Sequence, residues 1–223
     1  MKPWELLGET RTADGTLLSL TRRDTEMVIL AGGKILMSSR MHGSEEAMAE
    51  MALKHLRTVS GVAVLVGGLG MGYTLRASLD LLPADATVLV TELIPAVVEW
   101  NRGPLGPLAG HPLQDKRVQV ETGDVIATLR TSEGRFDAVL LDVDNGPDAF
   151  TESSNAAIYN DRGIGSIRRA LKPGGVVAVW SAWEDRRFEQ RLKWAGFRVD
   201  VQRVRARLKK GGPRHTIFLG RLG

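Results

Sequence analysis

Val62-Ala63-Val64-Leu65-Val66-Gly67-Gly68-Leu69-Gly70-Met71-Gly72 is an apolar β-type run that stops on four glycines within six residues. A helix-compatible segment, Tyr73 to Leu81, follows it. Glycines at such a junction leave no β-carbon between backbone and ligand, and the start of the helix adds unpaired N–H groups. Glu92 stands twenty residues past Gly72, closing a second strand-like run, Ala86-Thr87-Val88-Leu89-Val90-Thr91. A carboxylate there is set to accept hydrogens from both hydroxyls of a ribose. Singly, each feature has a plainer use, since glycines permit tight strand–helix packing and an acid can cap a helix. Their conjunction points to a nucleoside.

From Val62 onward, strands and helices alternate. Strand-like runs cover 62–66, 86–92, 117–121, 136–142 and 174–180, with helices expected over 72–81, 94–101, 124–131, 160–171 and 185–195. Two last runs, 197–201 and 215–219, flank Lys209-Lys210-Gly211-Gly212-Pro213 and predict a closing hairpin. The fold class is therefore α/β: a Rossmann-like, seven-stranded sheet of the class I methyltransferase type, parallel except for one strand near the end. Residues 1–42 differ in texture. Short runs at 17–20, 26–30 and 34–37, punctuated by Asp14-Gly15 and Gly32-Gly33, predict a small antiparallel β-rich segment. Residues 43–223 form the second region, opening on a helix at Gly43-Ser44-Glu45-Glu46 with Ser44 as the expected cap.

The 223 residues include no cysteine, which excludes disulfides, thiol nucleophiles and thiolate metal sites. No apolar run approaches the roughly 18 residues needed to cross a bilayer. Met1-Lys2-Pro3-Trp4-Glu5 lacks the apolar core of a signal peptide. A cytoplasmic protein without a membrane partner is expected.

Ligands of an open parallel sheet sit beyond the carboxyl ends of its strands. Four places qualify. Gly67, Gly68, Gly70 and Gly72 would approach the amino-acid part of a nucleoside cofactor. Glu92, with Leu93 beside it, would hold the ribose. Asp124, after Gly123 and beside Val125, would accept the adenine amino group. Asp142 and Asp144, in Asp142-Val143-Asp144-Asn145, would face the transfer chemistry, one of them orienting or deprotonating the nucleophile, with Asp142 also touching the cofactor. NAD is the rival ligand, but the glycines do not give a clean G-x-G-x-x-G spacing. S-adenosylmethionine or its decarboxylated form fits better.

The order of these motifs resembles the spermidine synthase (polyamine aminopropyltransferase) family. Val64-Leu65-Val66-Gly67-Gly68-Leu69-Gly70-Met71-Gly72 resembles its V-L-x-I-G-G-G-D-G-G, and Thr91-Glu92-Leu93-Ile94-Pro95-Ala96-Val97-Val98-Glu99 resembles its E-I-D-x-x-V-I-E. Asp115-Lys116-Arg117-Val118 with Gly123-Asp124 is similar to D-P-R-V followed by G-D, and Leu171-Lys172-Pro173-Gly174-Gly175 to L-K-P-G-G. Asp137-Ala138-Val139-Leu140-Leu141-Asp142 is similar to Y-D-V-I-I-x-D. The resemblance implies a homodimer acting on a small-molecule acceptor.

Three departures bear on the reaction. The family's glycine loop carries an aspartate that binds the amine of the decarboxylated donor, and here that position is Gly70. Its D-E-x-x-Y-H-E helix start is Ser44-Glu45-Glu46-Ala47-Met48-Ala49-Glu50, so the Tyr-His pair is Met48-Ala49. Its D-S-S-D-P loop becomes Asp142-Val143-Asp144-Asn145-Gly146-Pro147. Loss of the tail-pairing acid removes discrimination against a carboxylate-bearing donor, since like charges repel. The expectation is thus a spermidine-synthase-like methyltransferase using intact S-adenosylmethionine on an amine or hydroxyl. The alternatives are an aminopropyltransferase using the decarboxylated donor, with Asp144, Asp148 and Glu152 as an acidic trough, and a non-catalytic binding protein.

Other features carry less. Arg203, Arg205, Arg207, Lys209, Lys210, Arg214 and His215 form a basic cluster, read as a solvated hairpin face and not as a nucleic-acid surface. Arg40 is expected either to pair with Glu45 or Glu46 or to meet the carboxylate of an intact cofactor. His42, His55, His111 and His215 show no metal-ligand spacing, so no metal is expected. Trp180 and Trp183 follow a strand and are candidates for pocket or core.

Overall fold

The computed structural model describes residues 2–143, 158–207 and 212–223. Four strands, β1 (Glu5–Arg11), β2 (Leu17–Arg23), β3 (Glu26–Ala31) and β4 (Lys34–Ser38), form an antiparallel meander. Gly32 and Gly33 both take positive φ, as a two-residue hairpin turn demands. β1 lies outside the three strands expected from the sequence. Its Leu6-Leu7-Gly8 breaks the alternation that marks a half-buried strand, and the register slips there, between Leu6 and Gly8.

The main sheet has the order β10-β11-β9-β8-β5-β6-β7. Its strands are β5 (Ala63–Gly67), β6 (Thr87–Glu92), β7 (Val118–Thr122), β8 (Phe136–Leu141), β9 (Leu171–Ser181), β10 (Phe197–Arg205) and β11 (Arg214–Leu222). Every neighbouring pair from β9 to β7 is parallel, and β11 runs antiparallel to both β9 and β10. This is the expected seven-stranded sheet, with its single reversed strand. Pro173-Gly174-Gly175 lies inside β9, where the pairing with β8 jumps from Phe136↔Leu171 to Ala138↔Val176. These three residues, which read locally as a turn, are therefore an irregularity within a longer strand.

Alternation along the strands builds two cores. Val64, Val66, Val88, Val90, Ala138 and Leu140 face α1 (Gly43–Leu53), α2 (Tyr73–Leu81) and α3 (Pro95–Arg102). Leu65, Leu89, Val139 and Leu141 face α4 (Val125–Thr131), α5 (Asp161–Ala170) and α6 (Arg186–Trp194). Period-2 alternation between two covered faces explains why each strand reads as a continuous apolar run. The N-terminal meander contributes Leu18, Leu20, Ile29 and Ala31 to the first core, packed with Leu69, Met71 and Val97. It thereby roofs the carboxyl ends of the main sheet. Ser44 does not cap α1: His42 occupies the N-cap without a side-chain bond, and the Ser44 hydroxyl is engaged elsewhere.

Arg117 clasps the approach to β7. Its guanidinium donates to both Asp115 oxygens, at 2.9 and 2.7 Å, and to the carbonyls of Leu82 and Pro83 after α2. The guanidinium hydrogen bonds hold the Asp115 carboxyl down at about 2. Arg117→Met is expected to lower the unfolding free energy by about 1–3 kcal/mol in urea titrations at neutral pH. A depressed carboxyl stabilises above its ordinary value of about 3.9 and loses that contribution as pH falls. The deficit of the variant should therefore shrink as the pH is taken down towards 2.

Candidate active site

β5 is followed by β6 and β7 on one side, and the chain then returns to place β8 on the other. Between β5 and β8 the connections diverge, and a crevice opens at the strand ends. The two ends meet closely: the Asp142 N–H donates to the Gly67 carbonyl at 2.9 Å. A Cβ on Gly68 would lie 2.3 Å from the Asp142 carbonyl oxygen, and the residue's φ is +89°. Only glycine serves there.

A cavity of about 710 Å³ fills the crevice. Gly68, Gly70, Glu92, Leu93, Asp124, Val125 and Asp142 line its floor, and Leu18, Ile29 and Met37 of the meander line its roof. Gly67 and Gly72 do not line it. Gly67 makes room for Val125 and Leu141, and Gly72 for Asn101 and Pro112, so both serve packing. Asp144, with Asp148 and Glu152, lies outside the described residues.

Glu92 is buried, with one oxygen accepting the Leu69 N–H at 2.9 Å and that of Gly70 at 3.5 Å, the other that of Ile94 at 3.0 Å. The carboxylate thus braces the glycine loop against the end of β6. Burial pushes its pKa up against the opposing pull of these backbone donors. Asp124 caps α4 by accepting the Ile126 N–H at 2.9 Å while also facing the cavity. Thr91, missed in the sequence, lines the same cavity, and its hydroxyl is buried without a hydrogen-bond partner among the described residues. An orphaned hydroxyl, a buried carboxylate and a stretch of floor without a β-carbon suit a polyhydroxylated nucleoside.

A smaller cavity, of about 140 Å³, adjoins the first at Gly70, Met37 and Asp142. Glu45, Tyr73, Thr74, Trp180 and His215 also line it. Asp142 accepts the Thr74 hydroxyl at 2.7 Å. The Ser44 hydroxyl donates to Glu45 at 2.6 Å, accepts the Trp180 indole N–H at 3.1 Å and lies 2.8 Å from Nδ1 of His215. Burial first, and then the Asp142 charge, raise the Glu45 carboxyl to about 8. Burial, with Glu45 and Glu46 nearby, pushes Tyr73 up to about 12. Arg40 reaches neither cavity in its pairing: it bonds Glu26 at 3.2 Å, not Glu45, Glu46 or a ligand. Glu45, Thr74 and His215 escaped the sequence reading because their partners come from distant segments.

The family pattern of the spermine/spermidine synthase domain matches residues 41–192. The chain belongs to that family. Polyamine aminopropyltransferase 1 of Streptomyces coelicolor is 35% identical over 120 residues, which is 53% of this chain and 22% of that protein. The match thus spans about a fifth of the curated relative's length. A spermidine synthase in complex with the transition state analogue AdoDATO superposes with a TM-score of 0.74 at 16% identity, covering 98% of this chain and 72% of that one. The spermidine synthase of Thermotoga maritima gives 0.73 at 16% identity, with the same coverage. At that identity these two likenesses bear on the fold.

The family and its curated relative overturn the expected methyltransferase using intact S-adenosylmethionine. The physical reason lies at Gly70. A Cβ there would meet the Met37 sulfur and methyl at 3.0 Å, so Met37 fills the space of the expected acid. The negative charge has not vanished. Glu45 and Asp142 line the adjoining cavity.

Glu92→Gln is expected to cost about 1–3 kcal/mol in urea unfolding. Its amide NH2 would face the N–H of Leu69 or Ile94 in place of an acceptor.

Proposed function

We propose that this chain transfers an aminopropyl group from decarboxylated S-adenosylmethionine to an amine of a polyamine. The observation that carries the reading is the pair of acids, Glu45 and Asp142, on a small cavity that opens from the nucleoside crevice at Gly70. A donor tail ending in an ammonium is attracted to Asp142, which borders both cavities, whereas one that keeps its carboxylate meets like charge there. Family membership and the name of the curated relative support the same chemistry.

In this reading each residue has one task. The lone pairs of Glu92 not used by backbone N–H groups accept the ribose hydroxyls, with Thr91 beside them. Asp124 accepts the adenine amino group between Leu93 and Val125. Gly68 brings backbone against the donor, and Asp142 holds the cationic tail. When bound, the donor supplies a sulfonium-activated carbon for in-line displacement. The protein's contribution is then position and charge.

Incubation with the decarboxylated donor and a linear diamine such as putrescine should yield a triamine one aminopropyl unit heavier, seen by mass spectrometry. No triamine from any of a series of diamines would reject the reading, as would calorimetry showing tighter binding of intact S-adenosylmethionine. Glu92→Ala should weaken binding of the decarboxylated donor about 10- to 100-fold, on the order of one to two hydrogen bonds to a charged group.

A further inference from the structure

We infer that Glu45 takes the proton from the attacking ammonium of the acceptor, an assignment that rests on the aminopropyl-transfer reading. Glu45 opens α1 and lines the small cavity together with Asp142 of the β8 end. Its carboxylate is steered by the Ser44 hydroxyl, which Trp180 of β9 and His215 of β11 hold in turn. The ring of His215 meets that of Trp180 edge-on, with centroids 4.5 Å apart. A cavity of about 140 Å³ lined by two carboxyl groups is of a size to take one alkylammonium end.

The two acids differ in what holds them. Asp142 accepts a hydrogen bond from Thr74 and borders both cavities, which suits an anchor for positive charge. Glu45 lines the smaller cavity and not the larger. An ordinary carboxylate is a poor base for an ammonium whose pKa is about 10. Burial narrows the gap from both sides, because it disfavours the charged carboxylate and the charged ammonium alike. Asp142 and Glu46 both raise the Glu45 carboxyl further, while the Ser44 hydroxyl opposes the rise. Among the described residues, Tyr73 and His215 are the other titratable groups lining the cavity. Burial moves Tyr73 up and His215 down, away from the charged state in each case.

The step balances. The ammonium gives its proton to the Glu45 carboxylate, and the nitrogen lone pair that remains attacks the aminopropyl carbon next to sulfur. The C–N bond forms as the C–S bond breaks. Its electron pair goes to sulfur, converting the sulfonium to a neutral thioether, and the new secondary amine carries the positive charge. Glu45 returns its proton to solvent.

Glu45→Gln keeps shape and removes the base. Wild-type kcat/KM for a diamine should rise with pH through about 8. In Glu45→Gln, turnover near neutrality should fall about 100-fold or more. The rise should move up to the acceptor amine's own pKa, so that the deficit shrinks as the amine arrives already neutral. Glu45→Asp should recover part of the rate. The melting temperature should stay at the wild-type value. A Glu45→Gln enzyme within about threefold of wild type, or one depressed equally at every pH, overturns the assignment while leaving aminopropyl transfer in place. No aminopropylated product from the wild type removes both together.

Discussion

The approach of β5 to β8 is the constraint on which the rest of the molecule turns. Asp142 bonds the Gly67 carbonyl, and its own carbonyl presses where a Gly68 side chain would begin. At this one contact the chain leaves the sheet in two directions, so a crevice must open there. Glu92 sets the shape of the opening from the neighbouring strand, gripping the glycine loop by its N–H groups. The same contact places Asp142 on the wall between the two cavities. The two cavities therefore share a single residue held by backbone.

Charge is partitioned between these cavities. The larger one holds a buried carboxylate and apolar walls from the meander. The smaller one gathers Glu45 and Asp142. Gly70 stands at the junction, with Met37 packed over it. Glu45 reaches the smaller cavity from the first turn of α1.

What could be read in the sequence follows from locality. The strands of the main sheet were visible because each covers two apolar cores, and the strand-end rule singled out Glu92, Asp124 and Asp142. β1 was not visible, because Leu6-Leu7-Gly8 carries no alternation. Gly67 and Gly72 share the glycine loop with Gly68 yet serve packing, a distinction only neighbours can make. Ser44 matched the rule for a helix cap, but its hydroxyl answers to Trp180 and His215, 136 and 171 residues away. Glu45 was hidden for the same reason. The loss of an acid at Gly70 suggested a different donor because the compensating charge is remote in sequence.

The Ser44 junction ties the first helix to two of the last strands, and this has a consequence for synthesis. A nascent chain that has emerged as far as β8 already has Gly68, Glu92, Asp124 and Asp142 in hand, enough to shape the nucleoside crevice. The smaller cavity still lacks Trp180 and His215, and such long-range closure is slow compared with local folding. Its walls must therefore await β11, when that strand slides between β9 and β10. On the ribosome, the crevice takes shape before the chamber beside it is closed.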